Sequence, residues 1–221
     1  MIKVADRPLL NFSLGLSPGV PGVPMPPPTS GRMTLNLIRK LELPMLHEAS
    51  RPVSLRLDRR PTPVGEALVI TDETGALRAF DFADYESRML RLMARHYPGL
   101  ELSKGEAPRA IAAAVDAYFL GDLGSLDHLT WKTNGTEFQR RVWAGLCTIP
   151  AGKTLSYQGL AFRVGSPKGM RAVGLANGAN PIAIVVPCHR VIGASGRLTG
   201  YGGGLERKAW LLRHEGADFL P

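Results

Sequence analysis

Cysteine is scarce in this chain: Cys147 and Cys188 stand alone among 221 residues, too few for a disulfide framework or a four-sulfur zinc site. The five histidines show no ligand spacing with them, so no metal site is expected. Long apolar runs are also missing. No stretch approaches the roughly 20 residues needed to span a bilayer, and the segment Leu9-Leu10-Asn11-Phe12-Ser13-Leu14 soon meets Pro18 without a secretory cleavage pattern. Acidic residues are outnumbered, 19 against 27 Lys plus Arg, for a net charge of +8. These absences exclude a disulfide-stapled secreted domain and a helical membrane protein. They leave a cytoplasmic globular chain, expected to be soluble, with a basic surface that is either ordinary or suited to a polyanion. No internal repeat is evident.

What is present begins with punctuation. Residues 18–28 hold six prolines and two glycines, which resist helix and sheet alike and mark residues 1–32 as a flexible leader, with Met33 near the domain start. Beyond it, the patterning predicts strands over 53–57, 67–71 and 77–82, the last two joined by the turn residues Asp72-Glu73-Thr74-Gly75. Helical spacing follows over 85–96, stopped by Pro98-Gly99, and over 107–120, opened by Pro108 and closed by Gly121. Residues 33–128 thus read as a small antiparallel sheet with helices, and the whole chain as α+β.

From 129 to 221 the pattern changes to short helices and glycine-rich loops. Thr136 and Gln139 form a capping box for a helix to about Cys147, with Phe138, Val142, Leu146 and Ile149 as its apolar stripe. Cys147 reads as a packing residue. Ser156 caps a helix over 157–163, and Ser166 with Pro167 opens another over 168–176, ended by Gly178. The pair around Val164-Gly165 is either a helix-turn-helix or an ordinary helical hairpin.

The densest chemistry lies in Pro187-Cys188-His189-Arg190-Val191, which follows the apolar run 182–186. A thiolate is a strong nucleophile, a thiol is not, and a neighbouring imidazole or guanidinium favours the ionised form. Taken alone, Cys188-His189 has two readings: an inert buried thiol beside a structural imidazole, or a nucleophile beside its base. Neighbours in sequence point apart in an extended segment, so the fold must supply the geometry.

The longer pattern from Asn180 to Gly193, then Gly200-Tyr201-Gly202-Gly203-Gly204 and Lys208-Ala209-Trp210-Leu211-Leu212-Arg213-His214-Glu215-Gly216, closely resembles the O6-alkylguanine-DNA alkyltransferases, also called methylated-DNA-protein-cysteine methyltransferases. The resemblance is dense from about Thr136 to Gly216 and weaker before. It implies that Cys188 accepts an alkyl group, that His189 is its base through a water, that Glu215 orients the imidazole, and that Asn180 braces the turn. It further implies that the two-helix motif enters the minor groove of double-stranded DNA, with Ala172, Gly174 and Ala176 small enough for close approach. Arg171 would fill the gap left by a flipped nucleotide, or else be a surface or phosphate-contacting arginine. Tyr157 would bear on that nucleotide and assist the departing guanine.

Backbone carbonyls of Cys188 and Val191 would receive the guanine amino group, and Tyr201 and Gly202 would line the base pocket. Gly202 stands where some relatives carry serine. The reaction so implied is one irreversible transfer per molecule, without cofactor, from O6-alkylguanine and with O4-alkylthymine left open. No zinc site of the amino-terminal kind found in some relatives is expected. A monomer is expected, and clustering along DNA is left open. A noncatalytic binder of alkylated DNA and a cysteine hydrolase are the competing readings. Cys188 argues against the first, and the arginine helix with the glycine loop would have no purpose in the second.

Overall fold

The structure is a computed structural model that describes residues 53–221. The expected leader, the Met33 start and residues 34–52 lie outside the described residues. Strand β1 (Ser54–Arg60) pairs antiparallel with β2 (Ala67–Asp72), and β2 pairs antiparallel with β3 (Leu77–Phe82). Asp72 fixes the β2–β3 turn, its Oδ1 accepting from the Thr74 and Ala76 amides at 2.9 Å each, while Gly75 takes the positive φ of +79° that the turn requires.

The sheet is not purely antiparallel, as the sequence suggested. A fourth strand, β4 (Glu101–Lys104), adds parallel to β1, giving the order β3-β2-β1-β4. Its four residues carry a single apolar side chain, Leu102, which packs at the margin of the α1-side core, and so short an edge strand shows no alternating pattern.

Helix α1 (Glu86–His96), led in by a 3-10 turn at Ala83–Tyr85, buries Met89 and Met93 against Leu55, Leu68, Ile70 and Ala79 on one face of the sheet. The opposite face presents Ala67, Val69, Leu77, Phe80 and Phe82 to a larger core. That core takes Ile111, Val115 and Tyr118 from α2 (Arg109–Phe119) and Val142, Trp143 and Leu146 from α3 (Glu137–Cys147). It also contains Cys188, so the candidate nucleophile sits in the same close-packed cluster as the sheet.

Helix α3 starts as its capping box dictates: Thr136 Oγ1 accepts from the Gln139 amide at 3.2 Å, and Gln139 Oε1 accepts from the Thr136 amide at 2.9 Å. Cys147 at its end is exposed, contrary to the packing reading. Ser156 caps α4 (Tyr157–Arg163) through the Gly159 amide at 3.0 Å.

Helix α5 (Met170–Gly178) begins two residues later than expected, with Gly169 rather than Ser166 at its N-cap. Ser166 lies in the turn ahead of the helix, its carbonyl accepting from the Gly169 amide at 2.8 Å. Its amide donates to Ala161 O at 2.8 Å while the Gly165 amide donates to Phe162 O at 3.1 Å, closing α4 in a Schellman motif around Gly165 at φ +70°. A two-residue parallel pair, β5 (Leu155–Ser156) with β6 (Val191–Ile192), and α6 (Leu205–His214) complete the chain. No described helix is long and apolar enough to cross a membrane.

Candidate active site

The segment 181–187 is short, apolar and tightly turned, with Ile184 at a positive φ of +65°, a conformation strained for a β-branched residue. Asn180 holds it. The Asn180 Nδ2 donates to Val186 O at 2.7 Å and Ile182 O at 3.3 Å, while its Oδ1 accepts from the Ile182 amide at 3.0 Å. The chain then enters a single 3-10 turn, Cys188–Arg190, in which all three side chains are buried. Tight winding replaces the extended geometry that would have sent Cys188 and His189 to opposite faces.

Cys188 is 6 % exposed and His189 0 %. Burial pushes the Cys188 thiol up, against the opposing influence of Asn180, Arg88 and Lys208. His189 and Arg190 converge on Glu215, at the C-terminal end of α6. Burial pushes the Glu215 carboxyl up, but His189 and Arg190 outweigh it and hold the group far below the ordinary carboxylate range. Burial also holds His189 down, against Glu215. The pair therefore rests as a neutral imidazole against an ionised carboxylate.

That settles the imidazole's orientation. A carboxylate only accepts, so His189 Nε2–H donates to Glu215 Oε1 at 2.9 Å, leaving Nδ1 as an acceptor. Nδ1 is buried and has no partner, so it is the atom free to take a proton. Arg190 donates to the two oxygens of Glu215 through Nε and Nη2, each at 2.9 Å.

A cavity of about 20 Å³ adjoins Cys188, lined among others by Asn180, Tyr201, Gly202, Arg88 and Asp81. It has room for about one water and none for a purine. The wall is held by Arg88, which the sequence did not single out: Nη1 donates to Asp81 at 2.6 Å and Nη2 to Gly178 O at 2.7 Å. A Cβ on Gly202 would lie 2.6 Å from this guanidinium, so a side chain there would have to push Arg88 aside. Tyr201 Oη is buried without a partner.

Val191 is fully buried, and its carbonyl accepts from Lys208 Nζ at 2.6 Å; the same ammonium donates to Thr199 O at 3.0 Å. Burial pushes Lys208 down to about 8, with Cys188 opposing. Lys208 was also unforeseen, since lysine in a helix normally signals a solvated face. Among the described residues, no group of three or more His, Cys, Asp or Glu gathers to hold a metal.

On α5, Arg171 and Ala172 are exposed and Gly174 is half-buried, its α-carbon face 3.8 Å from the Tyr157 ring as measured to an added Cβ. Ala176 departs from the expectation. It is 3 % exposed and its carbonyl accepts from Trp143 Nε1 at 2.9 Å, so it faces α3 and the core rather than an outer partner. Tyr157 Oη reaches Gly200 O at 3.5 Å, bridging α4 to the glycine loop beside the cavity.

The family model described as 6-O-methylguanine DNA methyltransferase, DNA binding domain, matches residues 137–217. A methylated-DNA–protein-cysteine methyltransferase of Shigella flexneri is 50% identical over 157 residues, 70% of this chain and 92% of the relative. The chain belongs to this methyltransferase family. A member from Mycolicibacterium paratuberculosis is 57% identical over 129 residues, 57% of this chain and 78% of the relative. Among solved structures, Mycobacterium tuberculosis OGT in complex with DNA superposes with a TM-score of 0.61 at 38% identity, covering 74% of this chain and 93% of that one. The O6-methylguanine-DNA methyltransferase of Pyrococcus kodakaraensis, at 24% identity, shares the fold: TM-score 0.60, covering 74% of this chain and 99% of that one.

Proposed function

We propose that the protein repairs alkylated DNA by direct reversal, moving the alkyl group of O6-alkylguanine irreversibly to Cys188, once per molecule. The observation that carries this reading is the buried array of Cys188, His189 and Glu215 on and beside one 3-10 turn braced by Asn180. His189 Nδ1 takes the thiol proton through a bridging water, and Glu215 stabilises the imidazolium that forms. The thiolate attacks the alkyl carbon, a carbon–sulfur bond forms, and the carbon–oxygen bond breaks. Guanine leaves with the electron pair and is protonated, with the Tyr157 hydroxyl assisting. The product is a thioether, which no neighbouring group hydrolyses.

Docking uses α4 and α5 on the minor groove of double-stranded DNA. Arg171 and Ala172 are exposed on α5, and Gly174 opens the approach. The alkylated base must leave the stack to reach a sulfur buried this deeply, and Arg171 fills the space it vacates. The cavity beside Cys188 is far smaller than the few hundred Å³ of ordinary ligand pockets. Entry of the base therefore displaces the Tyr201–Gly202 wall. Within the opened pocket, Tyr201 packs on the base and the carbonyls of Cys188 and Val191 accept its amino group.

Incubation with duplex DNA carrying one labelled O6-methylguanine tests the reading. One equivalent of label on a Cys188 peptide is expected. Binding without label would instead mark a noncatalytic sensor, and multiple turnovers a hydrolase.

A further inference from the structure

We infer that Tyr118 is a positioning residue for this transfer, because its hydroxyl donates to Glu215 Oε1 at 2.8 Å, the oxygen that also receives the His189 proton bond at 2.9 Å. The inference rests on the proposed role of the Cys188, His189 and Glu215 array. It gives α2, an element remote in sequence from the Cys188–Arg190 turn, a part in the chemistry.

Tyr118 lies 97 residues before Glu215 and is fully buried. Its ring is fixed edge-on by Phe119 and His214, with centroids 5.3 and 5.2 Å away, and its backbone carbonyl meets His214 Nε2 at 2.7 Å. The hydroxyl therefore has one direction to point. Burial and the neighbouring carboxylate push its ionisation far above the ordinary range, so it remains a donor and takes no part as an acid or base.

Glu215 then receives four donors: Tyr118 Oη, His189 Nε2, and Nε and Nη2 of Arg190. Three of them crowd onto Oε1 and one holds Oε2, so both oxygens are engaged and the carboxylate cannot rotate without breaking bonds. Two effects follow for the imidazole. Its plane is held so that Nδ1 keeps one bearing, and the Tyr118 bond absorbs part of the carboxylate's charge, moderating its pull on the Nε2 proton. The ionisable groups facing the carboxylate are Tyr118, His189 and Arg190, and the Lys208 charge also holds His189 down. Tyr118→Phe leaves the other three in place.

The test uses the full chain with Tyr118→Phe and, separately, with 3-fluorotyrosine at position 118, which makes the hydroxyl a stronger donor at nearly constant shape. In single-turnover transfer from a lesion duplex, Tyr118→Phe is expected to be slowed about tenfold, the scale of one lost hydrogen bond to a charged group. In a Cys188→Ala background its affinity for the same duplex should stay within about twofold of the parent.

A carboxylate relieved of one donor binds the imidazole proton more tightly, so the acid limb of the rate profile should move to higher pH. The fluorotyrosine protein should move it to lower pH. Nitrogen-15 NMR of His189 reads the same shift without any transfer. A folded Tyr118→Phe protein with wild-type rate, profile and His189 signals would overturn the inference, as would slowing uniform in pH with an unshifted His189. If the wild type transfers no label while the His189 signals still respond to Tyr118→Phe, the transfer reading fails and the link from Tyr118 to His189 stands.

Discussion

Replacing Glu215 with Gln removes one charge and almost no volume, from a side chain with no solvent exposure. In the wild type the carboxylate accepts from four donors, two of them from the Arg190 guanidinium, itself 8 % exposed. Gln offers one acceptor oxygen and turns an NH₂ either toward Arg190, which only donates, or toward Tyr118 and His189, which must then reverse their roles to accept. Arg190 is then left as a buried cation without its counter-ion. Breaking a buried pair from one side costs about 3 kcal/mol or somewhat more. For a domain of this size each kcal/mol moves Tm by roughly 2–4 °C, so a fall of about 6–12 °C is expected.

The pH dependence follows from the depressed ionisation of Glu215. Its contribution is complete above the ordinary value of 4.5 and is lost as pH falls below it toward the folded-state value. The Tm gap between Glu215→Gln and wild type should therefore persist at pH 7 and narrow below about pH 4. Transfer, measured where both proteins are folded, should slow by about a hundredfold as the imidazolium loses its stabilising anion. A melting point within about 2 °C of wild type at pH 7, together with an undiminished rate, would refute the reasoning.

Cys188→Ala should abolish label transfer while retaining lesion-duplex binding that weakens with salt; methyl acceptance by this variant, or salt-insensitive binding, would contradict the assigned nucleophile or the phosphate contacts. Arg171→Ala should slow repair of duplex DNA far more than dealkylation of the free base, since only a duplex has a vacated stack to fill. Equal losses on both substrates would count against that role. Gly135→Ala should lower stability by about 1–3 kcal/mol, because the new Cβ would lie 2.3 Å from the fully buried Trp143 ring, which has nowhere to retreat. Chemical denaturation reads this directly, and an unchanged midpoint would show that the segment shifts freely.

Local signals in the chain were legible where local physics decides the outcome. Strand β3 is read to the residue from its apolar run and the Asp72–Gly75 turn, and α3 from its reciprocal cap. Errors arose where one residue serves a neighbour instead. Ser166 looks like an N-cap but belongs to the turn between α4 and Gly169, and Ala176 shares the small-residue pattern of α5 yet lies on its buried side, where Trp143 donates to its carbonyl. Strand β4 left no trace because an edge of four residues needs no alternation.

The motif residues Cys188, His189, Asn180 and Glu215 are brought together, but the contacts that lock them are long-range and have no spacing to reveal them. Tyr118 meets Glu215 across 97 residues and Arg88 meets Gly178 across 90. Lys208 reads as a surface lysine until burial is known.

The narrowness of the space beside Cys188 bears on how a single-use protein keeps its capacity. Any other electrophile that reached the sulfur would spend it to no purpose. A gap admitting little more than one water, in front of a thiol kept protonated by its surroundings, rations access to whatever can force the wall aside. If a duplex held on α4 and α5, as proposed, supplies the leverage, selectivity for the lesion and shelter from waste come from the same shut door.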